Sequence, residues 1–112
     1  MRIQQREVGD VVVLDVDGEI LGGPDTEAFE GAVQSALAGG RRKVLVNLGG
    51  VHWINSTGLG ILIAGFTAMQ RGGGAFKLVN VSERIAGLLA ITRLSTIFQS
   101  FQHEDEALRS FD

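Results

Sequence analysis

No cysteine occurs in the 112 residues, so the chain can hold neither a disulfide framework nor a thiolate metal site. Histidine is nearly as scarce, and the two present, His52 and His103, stand too far apart in sequence to read as a metal-ligating pair. Long apolar runs are missing as well. The longest, about Leu59 to Met69, falls well short of the roughly 20 residues that a bilayer span needs, and the opening MRIQQREVGD lacks the apolar stretch of a secretory signal. Ten basic residues against thirteen acidic ones leave a net charge of −3, and no basic block exceeds Arg41-Arg42-Lys43. Nothing in that balance asks for nucleic acid or an anionic membrane. The expectation is a cytoplasmic protein with no metal or cofactor and with neither nucleic acid nor membrane among its partners.

A hydrophobic content of 45% is enough to fill one core at this length, which predicts a single domain over residues 1–112. The segment REVGDVVVLDVDGEI is β-branched and alternating around Gly9-Asp10, the pattern of an antiparallel hairpin. In LGGPDTEAFEGAVQSALAGG a Gly-Gly-Pro loop is followed by Asp25 as a helix N-cap. Phe29, Val33, Ala36 and Leu37 then fall at helical spacing before the Gly39-Gly40 stop. KVLVNL reads as a buried strand ending at Gly49-Gly50, AFKLVN as the next strand, and Ser82 as the cap of a helix carrying Ile85, Leu88 and Leu89. TIFQSF is a candidate last strand, and HEDEALRSF a short closing helix with its acids in the first turn, where the helix dipole favours them. Strands alternating with helices imply crossover units and an α/β fold built on a mostly parallel sheet.

The segment VHWINSTGLGILIAGF is the odd one. Ser56 is placed to cap the helix that runs on to Gln70, while Gly58 and Gly60 sit where glycine costs a helix roughly 1 kcal/mol each relative to alanine. Glycine there implies a close approach to the backbone. The Gly-Leu-Gly pair lacks the lysine and third glycine of a phosphate-binding loop, and Asn55-Ser56-Thr57 matches a glycosylation acceptor without a secretory context. A hydrolase reading, with Ser56 as nucleophile and His52 as base, lacks an orienting acid. From Leu59 to Met69 the only polar side chain is Thr67, so apolar residues surround the helix axis. One face packs on the sheet; the other, with Leu59, Ile63, Phe66 and the neighbouring Trp53, is covered by a helix of the same chain or by a partner. Ser56 and Thr57 stand at the rim of that surface, where a phosphate does most damage to an apolar contact.

The hairpin ending in GEI, the block LVNLGGVHWINSTGLGILI, the GG before FKLVN and the helix SERIAGLLAITRL occur in one order. In this the chain resembles the STAS domain, in particular bacterial anti-sigma factor antagonists. The resemblance implies a mixed, mostly parallel sheet with about four helices mainly on one side and no enzymatic activity. It implies phosphorylation at Ser56, with Thr57 the second choice, by a partner that is both serine kinase and anti-sigma factor, and a serine/threonine phosphatase that restores the free form. The candidate partner-binding residues are Trp53, Asn55, Ser56, Thr57, Gly58 and Leu59; Trp53 is among them because an aromatic beside the switch offers large area at low entropic cost, the alternative being an ordinary core tryptophan. Two positions depart from the family pattern: Asn55 stands where an Asp usually precedes the serine, and Leu21 where an Asp often follows the GE-[IL] turn. A non-switching STAS scaffold or adaptor subunit of a signalling or transport complex is the alternative.

Overall fold

A computed structural model describes all 112 residues. Five strands form one sheet in the order of the chain: β1 (Arg2–Val8), β2 (Val11–Ile20), β3 (Lys43–Ile54), β4 (Ala75–Val79) and β5 (Ser100–Phe101). The β1–β2 hairpin is antiparallel, and every later pairing is parallel. Helices α1 (Pro24–Ala38), α2 (Ser56–Arg71) and α3 (Glu83–Ile91) contribute Phe29, Val33, Leu62, Met69, Ile85 and Leu89 to the main core, together with the inward residues of β2, β3 and β4. The short α4 (Glu104–Arg109) covers the opposite face, where Ala107 packs with Val11, Val13, Leu45 and Val79. The fold is thus α/β with a mixed sheet and three of four helices on one side. No helix is long and apolar enough to cross a membrane.

Three sequence expectations need correction. The strand begun at Lys43 does not stop at Gly49-Gly50 but continues to Ile54. Beyond the last β4 pair, Asn47 with Val79, it goes on pairing with β2 through two register shifts that end at Ile20 opposite Ile54. The glycines serve close approach instead of a turn: a Cβ on Gly50 would collide with the Asp17 carboxylate. Asp25 does not cap α1. Gly23, at φ +60°, holds that position with Pro24 first in the helix, and the Asp25 carboxylate turns back to accept the Leu21 amide at 3.1 Å. The last strand keeps only two residues, because Leu94–Thr96 form a 3₁₀ turn and Phe98 is drawn into the core against Phe66 and Phe76.

On the α4 face a hydrogen-bonded polar row crosses the sheet. Arg6 on β1 grips Asp15 on β2 at 2.6 and 3.0 Å, Asn47 on β3 donates to Asp15 at 2.8 Å, and Asn80 donates to Asn47 at 3.0 Å. Arg6 also reaches Glu104 at 2.6 Å and so fastens the start of α4, whose far end is held by Lys77 donating to Ser110 at 2.8 and 3.0 Å. The Arg6 guanidinium holds the Asp15 carboxyl below its usual range, against the opposing effect of partial burial and with help from Asn47. A carboxyl depressed on folding stabilises the protein above its unfolded value of about 4 and stops doing so as the pH falls through its folded value. Asp15→Asn is therefore expected to lower the melting temperature at neutral pH, with the gap from wild type closing as the pH drops below about 4; thermal melts of both proteins across that range check it.

Candidate functional site

Two connections meet at the carboxyl edge of the parallel strands: Leu21–Gly23, between β2 and α1, and Asn55, between β3 and α2. The Asn55 side chain joins them. Its Oδ1 accepts the Gly58 amide at 2.8 Å, and its Nδ2 donates to the Leu21 carbonyl at 3.1 Å. Its own backbone amide meets the Ile20 carbonyl at 3.4 Å, and its carbonyl accepts the Leu59 amide at 2.9 Å. The cap of α2 is therefore Asn55, in extended conformation, and not Ser56 as the sequence suggested. An amide can accept from one element and donate to another; a hydroxyl at the next position would have satisfied the helix alone.

The correction frees the serine. Ser56 becomes the first residue of α2, exposed, and no hydrogen bond within the chain engages its hydroxyl. Thr57 is also exposed, with its methyl group over Gly22, where a Cβ would come within 2.6 Å of it and where φ is +106°. Gly58 and Leu59, expected on the partner-facing surface, are buried instead. A Cβ on Gly58 would run into the Ile20 carbonyl, and Leu59 joins the main core. The close approach inferred for the glycines is thus made at Gly58 by the neighbouring strand, while at Gly60 nothing in the chain lies near.

Trp53 stands on the overhanging end of β3, 38% exposed, with the Arg84 guanidinium 5.5 Å from its ring centroid. Leu21 is 42% exposed, its peptide held on one side by Asp25 and on the other by Asn55. Sequence reading marked Leu21 only as a departure from the family's Asp, and it missed Arg84 altogether. An apolar residue caught between a strand end and a Gly-Gly-Pro turn was the available signal for the first; only the fold brings the second to Trp53. His52 is exposed and makes no hydrogen bond to Ser56, so the two do not form a nucleophile–base pair. On α2, Ile63 and Ala64 continue the exposed surface past Gly60, whereas Phe66 is half-buried against Phe76 and Phe98. None of the molecule's concavities is lined by Ser56, Thr57 or Trp53. A surface without a cleft and with exposed apolar residues suits a macromolecule better than a small ligand, which takes a cleft.

The order of elements, the hairpin and the Asn-Ser-Thr-Gly-Leu-Gly junction are matched by the STAS domain family model over residues 2–107. The chain belongs to the STAS domain family. A curated relative, the anti-sigma-B factor antagonist of Bacillus subtilis, is 43% identical over 47 residues, a match covering 42% of this chain and 43% of that one. The match thus spans less than half of that relative's length. The crystal structure of a Thermotoga maritima protein assigned as an anti-sigma factor antagonist superposes with a TM-score of 0.88 at 26% identity, covering 97% of this chain and 93% of that one. The phosphorylated form of the Bacillus cell fate determinant SpoIIAA shares the fold, with a TM-score of 0.77 at 18% identity over 99% of this chain and 100% of that one.

The two glycines of this STAS domain make opposite predictions. Gly58→Ala drives a methyl group into the Ile20 carbonyl and should cost about 1–3 kcal/mol. Gly60→Ala adds helix propensity where nothing is in the way and should stabilise by up to about 1 kcal/mol. Denaturant unfolding of both variants beside wild type checks the pair, and equal effects would contradict the geometry.

Proposed function

We propose that this STAS domain is an anti-sigma factor antagonist switched off by phosphorylation at Ser56. In its free form it binds a partner that is both anti-sigma factor and serine kinase, and so releases the sigma factor; a serine/threonine phosphatase regenerates that form. The observation that carries the reading is the uncommitted, exposed Ser56 hydroxyl at the first turn of α2, made available because Asn55 has taken over the cap. The helix start favours an anion, since the first-turn amides left by the Asn55 cap point toward it. A phosphate there brings about −1.5 to −2 charges and three oxygens that keep their water. At the strand edge that also carries exposed Leu21 and Trp53, it opposes burial of that apolar surface by the kinase.

The test is intact-mass measurement after incubation with ATP and the ATPase-type serine kinases of the same genome. Wild type is expected to gain one phosphoryl group and to lose kinase binding, whereas Ser56→Ala gains none and binds constitutively. Modification that persists in Ser56→Ala would move the site to Thr57. A kinase that binds but never transfers would favour the non-switching scaffold.

Asn55 sets the rate in the same assay. Asn55→Asp keeps the acceptor for Gly58 but forfeits the donor to Leu21, and it adds a negative charge beside the target hydroxyl. Phosphoryl transfer depends chiefly on positioning and charge stabilisation, and a carboxylate there supplies the kinase with a contact for a basic side chain or Mg²⁺. Single-turnover transfer at saturating ATP is expected to be faster for Asn55→Asp. Equal or slower transfer would mean a kinase matched to the amide.

A further inference from the structure

Arg84 is set apart from the other arginines by what holds it. Arg2, Arg6, Arg41 and Arg109 each meet a carboxylate of the chain, and Arg42 donates to backbone carbonyls. Arg84 does neither; its guanidinium lies over Trp53, 5.5 Å from the ring centroid. Arg71 and Arg93 are also without a carboxylate, but neither stacks on an aromatic ring. Two acidic residues are neighbours, Glu19 opposite Trp53 in the strand register and Glu83 before Arg84 in α3, and neither forms an ion pair with it.

The consequence is an exposed cation resting beside an aromatic ring, its N–H donors without a hydrogen-bond partner in the chain, on a chain whose net charge is −3. The cation–π contact favours one placement of the guanidinium before anything binds, so less freedom is lost when it makes a two-pronged contact. Exposed Leu21 and Trp53 lie on the same edge, and a cation beside apolar area is the composition of an interface with an acidic counterpart.

We propose that Arg84, on its Trp53 platform, is the charged contact of the docking surface and receives a carboxylate of the kinase that reads Ser56. This deepens the function proposed above and rests on it. A guanidinium accepts a carboxylate bidentately, which fixes orientation, and as a rim charge it acts mainly on the rate of encounter.

The test measures association of the same kinase, carrying a fluorophore, with wild type, Arg84→Lys and Arg84→Glu, at low salt and at about 0.5 M salt. Arg84→Glu is expected to associate about tenfold more slowly at low salt, with the difference largely gone at high salt, and Arg84→Lys to fall between, since it keeps charge without the fork. Far-UV circular dichroism together with the melting temperature verifies that each variant is folded, since Trp53 emission responds to Arg84 directly. Equal association rates, or a slowing that salt does not relieve, overturn the proposal. So does a Trp53 emission change on phosphorylation that Arg84→Ala abolishes while kinase association ignores Arg84→Glu, because Arg84 then serves the phosphate. In either case a switch that still operates at Ser56 leaves the proposed function standing; a wild-type chain that binds no such kinase removes both.

Discussion

The structure turns on one side-chain amide. Asn55 accepts from the first turn of α2 and donates to the connection that leads into α1, so it satisfies backbone groups of two separate elements at once. Satisfying a helix-start amide and an otherwise free carbonyl with one group is worth more than two local bonds, because it also fixes how the two connections lie against each other. From that follow the position of Ser56 as first helical residue and the outward presentation of Leu21. A carboxylate could cap but not donate, and a serine could not span the gap to Leu21 while it caps.

The sheet supplies the frame for that junction. Because β3 outruns β4 and leans on β2 alone for its last turns of register, its end projects from the sheet and carries Trp53 out with it. The large core beneath α1, α2 and α3 anchors this projection through Ile20, Val51 and Ile54, each almost fully buried. The polar row on the other face anchors α4 and takes no part in the junction. The polar row is thus remote from the site, whereas Asn55, Gly58 and Leu59 serve the site and the fold together: Asn55 bridges two connections, Gly58 admits the Ile20 carbonyl and Leu59 fills the main core.

Much of this was legible in the sequence, and the parts that were not share a cause. Alternating β-branched runs, glycine stops and helical apolar spacing marked out all five strands and all four helices, with β3 read too short and β5 too long. The Asn-Ser-Thr-Gly-Leu-Gly junction pointed to the STAS domain family. What escaped were facts decided by contacts distant in the chain. Gly49-Gly50 reads as a turn unless one knows that Asp17 presses on it. Asn55 and Ser56 are both good caps by type, and only the carbonyl of Leu21 chooses between them. Leu59 looks available on a helix apolar all round, yet packing on the sheet consumes it. Arg84 belongs to a different element and meets Trp53 only after β4 and α3 are in place. The short β5 followed the same rule, since burial of Phe98 outweighed the strand propensity of its neighbours.

The spatial order of the strands equals their order along the chain, and this bears on how the molecule assembles. Each strand is added at the edge left by the one before, so none has to be inserted between two that have already paired. Loops closed at each step stay short, which keeps the entropic barrier to each addition low. A chain emerging from the ribosome can therefore lay down the hairpin first and extend the sheet one crossover at a time. The β3–α2 junction forms in the middle of that sequence, when β2 is already there to receive it; the Asn55 bridge draws on no residue beyond Leu59.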